Sequence, residues 1–373
     1  MPRRERILAI AVALVVCGLG ATARAQAVPV KVGAALSLSG PAASYGASQR
    51  AGIQAAADEV NAGQLPGFSL VVVLDDDAST KEQGINVYQR LINQEKVSVI
   101  LGPTLSTTAT AADPIAQAAK VPVLAMSNTS PKGITDIGEY IWRDSLTEAQ
   151  VIPGAVKKAQ ARLGFKTAAL LYGNDDVFTK AGYDVMVKAL ADLGVKVVAT
   201  QTFTKSDRDY GPQLTALRSA SPELLMVSAL TDNASAIVVQ ARSLGLTMPI
   251  MGGNGFNSPA FIKNAGPAAE GVLVGTSWDS TSTAPANVKF KEVMARRGFT
   301  PDQFTAQSYT AVLIVAEAVR LTGKAGREDI RAGFARVKGL ATPLGKFSFT
   351  ANRDADHEAT VQQVKDGKFQ ILP

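Results

Sequence analysis

Hydroxyl side chains gather at two places in this chain, Ser106-Thr107-Thr108 and Ser127 through Ser130. Each follows a short apolar, β-branched run, Val97 to Leu101 before the first and Val121 to Ala125 before the second. Runs of that length read as buried parallel strands. Gly102-Pro103 breaks the first, and Ser106 then opens a stretch that reads as a helix through Gln117 to Lys120. Two hydroxyl-rich turns therefore leave the carboxyl ends of successive strands, the edge at which open α/β sheets bind ligands. A helix N-terminus there offers free N–H groups and a favourable dipole to an anion such as a carboxylate. Taken singly, Ser106 and Thr129 read equally well as helix caps. Their pairing on adjacent strands points to an anion cradle.

The elements that would position this cradle alternate along the chain. Val30 to Leu36 reads as a strand, followed by the loop SLSGPAASYG and a helix from Ala47 to Asn61. Leu70 to Leu74 is a second strand, ending in Asp75-Asp76-Asp77, and Thr80 to Asn93 a second helix. That acidic turn suits either a hard cation or the ordinary capping of a solvated strand end. After a short strand at Tyr140 to Trp142 the pattern restarts, with strands at 168–172, 195–200, 224–228, 249–252 and 271–276. Helices at 149–163, 179–193, 211–220 and 233–245 separate them. Strands spaced by helices of this length make right-handed βαβ units and parallel sheets. Two such series predict an α/β chain of two Rossmann-like, doubly wound lobes. The remaining helices, at 285–297, 303–321 and 327–337, and strands, at 346–350 and 361–364, are too few in strands for a third lobe and are expected to pack back on the first two. Lobe 1 is then 28–147 with 279–356, and lobe 2 is 148–278 with 357–373. Repeated crossing makes a hinge, and a cleft between hinged lobes is a natural small-molecule site.

Composition narrows the function. The chain has 373 residues, 46% of them hydrophobic and 19% charged, which suits two globular units. Arg3, Arg4 and Arg6, an apolar run from Ile7 to Leu19 and the small residues of ATARAQA read as a signal peptide over residues 1–27, cleaved after Ala25 or Ala27. Val16 ahead of Cys17 disfavours a lipid-anchored cysteine. Removing the leader takes four arginines, one glutamate and the sole cysteine, leaving 34 basic and 31 acidic residues. So mild a charge with no basic block argues against a nucleic-acid partner. His357, the one histidine, lies in RDADHE and is expected to be solvated. No histidine-based triad, HExxH motif, zinc cluster or phosphate loop can be assembled. The chain is therefore expected to be a binder and not an enzyme, with no metal or cofactor.

Four segments in combination resemble the periplasmic solute-binding proteins of the leucine/isoleucine/valine type, which feed ABC transporters. They are VKVGAALSLSGPAASYG, DDDAST, VSVILGPTLSTTATAADPIAQAAKVPVLAMSNTSP and ARSLGLTMPIMGGNGFNSPAF. The resemblance covers essentially all of 28–373. It implies the type I periplasmic binding protein fold, two lobes joined by three crossovers, and a periplasmic monomer that hands a small carboxylate to a membrane permease. It assigns the ligand's carboxylate and ammonium to Ser106, through its hydroxyl and N–H to the carboxylate, and to the turn at Ser127–Thr129, through the Ser127 carbonyl and the Thr129 hydroxyl and N–H. Tyr45 and Phe304 match cleft aromatics, and Phe178 offers a further aromatic wall. Two positions depart from the pattern. Asn254 stands where amino-acid binders carry a carboxylate for the ammonium, and Leu230 where an aromatic is common. The ligand is thus expected to be a branched-chain or other amino acid, or alternatively an amine-free aromatic or short-chain acid. A secreted sensor serving a membrane receptor would use the same capture. Trp278 suits either stacking on a planar ligand or packing at the hinge.

Overall fold

The computed structural model describes residues 27–372; the signal-peptide expectation lies, apart from Ala27, outside them. Among the described residues no helix is long and apolar enough to cross a membrane. Strand β1 (Val28–Leu36) is exposed at its start and buried over its last five residues. Helix α1 (Ala43–Glu59) begins four residues earlier than the apolar spacing suggests, because Gly40, at φ +78°, turns the chain and its carbonyl accepts from Ala43 N. That early start puts Tyr45 in the first helical turn. Then come β2 (Phe68–Asp76), α2 (Lys81–Asn93), β3 (Val99–Leu101), α3 (Ser106–Ala118), β4 (Val123–Ala125) and β5 (Ile141–Arg143). The five strands form a parallel sheet in the order β2-β1-β3-β4-β5.

The second series opens with α4 (Glu148–Leu163), started by a reciprocal capping box between Thr147 and Gln150. It continues through β6 (Thr167–Gly173), α5 (Val177–Asp192), β7 (Lys196–Phe203), α6 (Gly211–Ser219) and β8 (Leu224–Ser228). Helix α7 (Thr231–Ser243), β9 (Ile250–Gly252), α8 (Pro259–Ala265) and β10 (Leu273–Thr276) complete it. The chain then returns to the first sheet with α9 (Pro285–Arg296), α10 (Gln303–Thr322) and α11 (Arg327–Phe334), α10 lying along α1. A small antiparallel sheet follows: β11 (Leu340–Thr342), β12 (Gly345–Phe349) and β13 (Ala355–Asp356). Finally β14 (Thr360–Lys365) and β15 (Lys368–Ile371) add antiparallel strands to the second sheet. That sheet runs β15-β14-β10-β9-β8-β6-β7.

Its parallel part, β7-β6-β8-β9-β10, repeats the winding of the first sheet strand for strand. The chain passes between the sheets three times, at 144–147, 277–284 and 357–359. Each sheet is covered by apolar side chains on both faces, as parallel sheets must be.

Three expectations outside the cleft are resolved by packing. His357 is half-buried, not solvated: its ring lies 6.3 Å from that of Phe347, its Nδ1 is 3.3 Å from the Glu358 carbonyl, and burial lowers its pKa. Trp278 is a packed hinge aromatic, its Nε1 donating to Asn287 Oδ1 at 2.9 Å and its ring edge-on to Phe290. The acidic turn after β2 is a set of caps. Asp76 accepts from the N–H groups of Leu38 and Ala78, Asp77 from Ser37 Oγ and Ser79 N, and Asp75 pairs with Arg90.

Candidate functional site

In each sheet the winding reverses between two central strands, β1 and β3 in one, β6 and β8 in the other, and ligands bind outside the carboxyl ends at such a switch point. The loops after β1, β3 and β4 face those after β6, β8 and β9. They enclose a cavity of about 20 Å³ lined by Tyr45, Thr104, Leu105, Ser106, Ser127, Phe178, Leu230, Asn254, Gly255 and Phe304. Six of the seven expected site residues are on that wall. Thr129 is buried but is not one of the lining residues. Ala42, Tyr45, Leu105, Phe178, Leu230 and Phe304 form a small apolar cluster of their own, drawn from both lobes.

Ser106 is the first residue of α3, and Leu105, the residue at its N-cap, has no side-chain oxygen with which to close the helix end. The Ser106 hydroxyl is buried and makes no hydrogen bond, so it is not acting as a cap. Ser127 differs. Its Oγ donates to the Thr104 carbonyl at 2.7 Å and accepts from Gln49 Nε2 at 2.8 Å. Gln49 Oε1 in turn takes the Thr104 hydroxyl proton at 2.6 Å. The Ser127 side chain therefore fixes the turn and leaves only its backbone for a ligand. Arg143, fully buried, holds the same turn from the other side. It donates to the carbonyls of Asn128 and Ser130 at 2.8 and 2.5 Å and pairs with Asp354 at 2.6 Å.

Thr129 turns its hydroxyl proton away from solvent and donates to Glu148 Oε1 at 3.1 Å. The Glu148 N–H donates to the Thr129 carbonyl at 2.9 Å, and Glu148 Oε1 also accepts from Asn254 N at 3.2 Å. Glu148 Oε2 is buried and has no partner, and burial pushes this carboxyl up to about 7. Asn254 is fixed through a chain of bonds. Gln303 Oε1 accepts from Ser277 N at 2.6 Å and from Thr276 Oγ1 at 2.9 Å, so its Nε2 donates to Asn254 Oδ1 at 2.5 Å. The oxygen of Asn254 is thereby spent within the protein.

Further bonds join the two lobes across the cleft. Tyr45 Oη accepts from Thr231 N at 2.7 Å and donates to the Gly255 carbonyl at 2.8 Å. Burial raises the phenol's pKa, which keeps it a neutral donor. Gly255 packs on its own lobe's Ala229 carbonyl with no room for a side chain, since a Cβ there would stand 2.1 Å from that oxygen. Thr107 Oγ1 donates to Asp176 Oδ2 at 2.5 Å and accepts from Val177 N at 2.9 Å. The rings of Tyr45 and Phe304 meet at 4.5 Å.

Sequence reasoning missed Glu148, Gln303, Arg143, Thr104 and Leu105 at or around this site. Glu148 follows a capping threonine, where an acidic residue ordinarily complements a helix dipole, so nothing in TEAQ separates it from a routine helix start. Among the described residues, no group of three or more histidine, cysteine or acidic side chains is placed to hold a metal ion.

A family model described as periplasmic binding protein matches residues 29–368. The leucine-, isoleucine-, valine-, threonine- and alanine-binding protein of Pseudomonas aeruginosa is 26% identical over 353 residues, covering 94% of this chain and 93% of the relative. The leucine-binding protein LivK of Thermotoga maritima superposes with a TM-score of 0.88 at 26% identity, covering 92% of this chain and 98% of that one. A solute-binding protein of an ABC transporter from Rhodopseudomonas palustris, solved with 3,4-dihydroxybenzoic acid, superposes with a TM-score of 0.81 at 25% identity, over 91% and 95% of the two chains.

Proposed function

The chain belongs to the periplasmic binding protein family, and we propose that it is an extracytoplasmic solute-binding protein that captures a small carboxylate between its lobes and delivers it to an ABC transporter permease. Export by residues 1–27, action as a monomer and recognition of the closed form by the permease are parts of the same proposal. The observation that carries it is the Ser106 hydroxyl, buried without a partner at the uncapped N-terminus of a 13-residue helix and facing the interlobe cavity. Such a group lacks only an acceptor. A carboxylate supplies one, and it gains from the helix dipole as well. Relatives named for leucine, isoleucine and valine favour an amino acid. The aromatic walls of Tyr45, Phe178 and Phe304, together with the dihydroxybenzoate-bound neighbour, support a second reading in which the ligand is an aromatic acid.

A thermal-shift screen over amino acids, aromatic acids and short-chain acids would find the ligand class, because a specific ligand stabilises by mass action. Calorimetry then tests the cradle. Ser106→Ala removes a hydrogen bond to a charged group, worth about 1.5–3 kcal/mol, and is expected to weaken binding of the best carboxylate roughly ten- to hundredfold. Unaltered affinity would move the carboxylate elsewhere.

A further inference from the structure

We propose that a second cavity, beside the hinge and distinct from the cleft, is a binding site for a flat aromatic carboxylate. It encloses about 470 Å³, a size usual for small-molecule sites, whereas the cleft cavity has about 20 Å³ in this arrangement of the lobes. Both lobes build it. Ile262 and Lys263 on α8 and Lys368 and Phe369 on β15 line it from lobe 2, Pro301 lines it from lobe 1, and Trp278 from the crossing between them. Gln303 is on its wall as well, and the Gln303 Nε2 donates to Asn254 Oδ1 in the wall of the cleft. One hydrogen-bonded pair of side chains therefore stands between the two cavities.

The free charges of this cavity are positive. Lys263 and Lys368 are exposed, and among the described residues neither forms an ion pair. The buried polar side chains of the wall are already satisfied. Asn257 Oδ1 accepts from Gln362 Nε2 at 2.6 Å, and its Nδ2 donates to the Gly275 carbonyl at 2.7 Å. Asp302, the one acidic residue lining the cavity, accepts from Ser48 Oγ through one oxygen and from Thr305 N and Oγ1 through the other. Burial raises its pKa, which lessens its repulsion of an anion. Flat apolar surfaces make up much of the remaining wall: the indole of Trp278, the ring of Phe369 and the rings of Pro259 and Pro301. A planar ring suits these walls, and a carboxylate on that ring answers two unpaired ammonium groups. A cation would be repelled by both lysines, and an uncharged ring would leave them unused.

The chain's own fluorescence can report on this site. Of its two tryptophans, Trp142 and Trp278, only Trp278 lines the second cavity, and neither lines the cleft. The probe is 4-nitrobenzoate, whose nitroaromatic ring quenches indole emission on contact, and the uncharged 4-nitrobenzamide is its isostere. Both are titrated at low salt into the wild-type protein, the double variant Lys263→Gln/Lys368→Gln and Ser106→Ala. The acid is expected to quench the wild type saturably with a Kd of about 5 mM or tighter. It should bind roughly tenfold tighter than the amide and weaken as salt is raised, because the lysines that hold it are exposed. The lysine double variant should lose about that tenfold, while Ser106→Ala should stay within about twofold of wild type. The comparison of acid with amide needs no variant to fold. Quenching without saturation, equal affinity for acid and amide, or unchanged affinity in the lysine double variant would overturn the site. So would a loss confined to Ser106→Ala, which would place the acid in the cleft. None of these outcomes touches capture in the cleft, which Ser106→Ala tests separately by calorimetry.

Discussion

At the scale of single residues, the site is decided by where each polar atom has already spent its hydrogen bonds. The Ser106 hydroxyl is free, the Ser127 hydroxyl is used inside its own turn, and the Thr129 proton is committed to Glu148. The same accounting alters what is expected of Asn254→Glu. In isolation, a new carboxylate there would restore a missing partner for an ammonium and add about 1.5–3 kcal/mol. Beside Glu148, however, whose Oε1 accepts from the Asn254 backbone, two carboxyls share one buried site and cannot both ionise. Asn254→Glu is therefore expected to leave amino-acid affinity at pH 7 within about threefold of wild type, read by calorimetry. A tenfold gain would show that both carboxyls ionise. The hydroxyls were legible in the sequence because each follows an apolar strand run, and strand ends are where such folds bind. Glu148 and Gln303 were not, because their importance comes from neighbours about 20 to 100 residues away in the chain.

At the scale of elements, the two sheets share one winding, so the cleft is built twice over from equivalent loops. The loops after β1, β3 and β4 carry Tyr45, Ser106 and Ser127, and those after β6, β8 and β9 carry Phe178, Leu230 and Asn254. The alternation of strand and helix that produces this was readable from hydrophobic runs alone. Strands β11, β13 and β15 were less so, because strands of two to four residues carry too little periodicity to be told from loop. The start of α1 was displaced because a glycine turn at Gly40, not an apolar repeat, sets it. That first turn of α1 holds the cross-cleft tie made by Tyr45. Thr231 N and the Gly255 carbonyl lie on lobe 2 and are hydrated when the lobes part, so both bonds belong to the closed form alone. Tyr45→Phe leaves the Thr231 N–H sealed without a partner, while the Gly255 carbonyl keeps only the Thr231 hydroxyl. It is expected to open the ligand-free protein, seen as a larger radius of gyration in solution scattering, and to weaken ligand binding about tenfold. A ligand-free variant as compact as wild type would show that the lobes close without this tie.

At the scale of the whole molecule, closure and burial bring a dependence on pH. About 20 Å³ of free space holds roughly one water, so a solute enters only when the lobes separate about the crossings at 144–147, 277–284 and 357–359. Folding surrounds acidic groups with protein, within the lobes as well as at the cleft. Glu148 is pushed up to about 7 and Asp113 to about 8, in both cases mainly by burial, and Asp77, Asp144 and Asp302 are shifted upward as well. A carboxyl raised in this way holds a proton in the folded protein that the unfolded chain gives up. The stability it contributes is complete below its unfolded pKa and is lost as pH rises through the folded value. His357 works in the opposite sense, because its pKa is lowered, but its effect ends near its ordinary value of 6.5. Between pH 6.5 and 8 the carboxyls therefore dominate, and Asp113 titrates last among those with a stated value. Its Oδ1 accepts from Tyr88 Oη at 2.8 Å, tying α2 to the helix whose N-terminus carries Ser106, while its Oδ2 is buried without a partner. Asp113→Asn keeps the acceptor and removes the titration. Urea unfolding of the ligand-free wild type is expected to show a loss of about 1–2 kcal/mol or more from pH 6.5 to 8, and Asp113→Asn should lose correspondingly less over the same interval. Equal slopes in the two proteins would mean that Asp113 is already ionised at pH 6.5, and that α3 is pinned to α2 by a charged hydrogen bond instead of a neutral one.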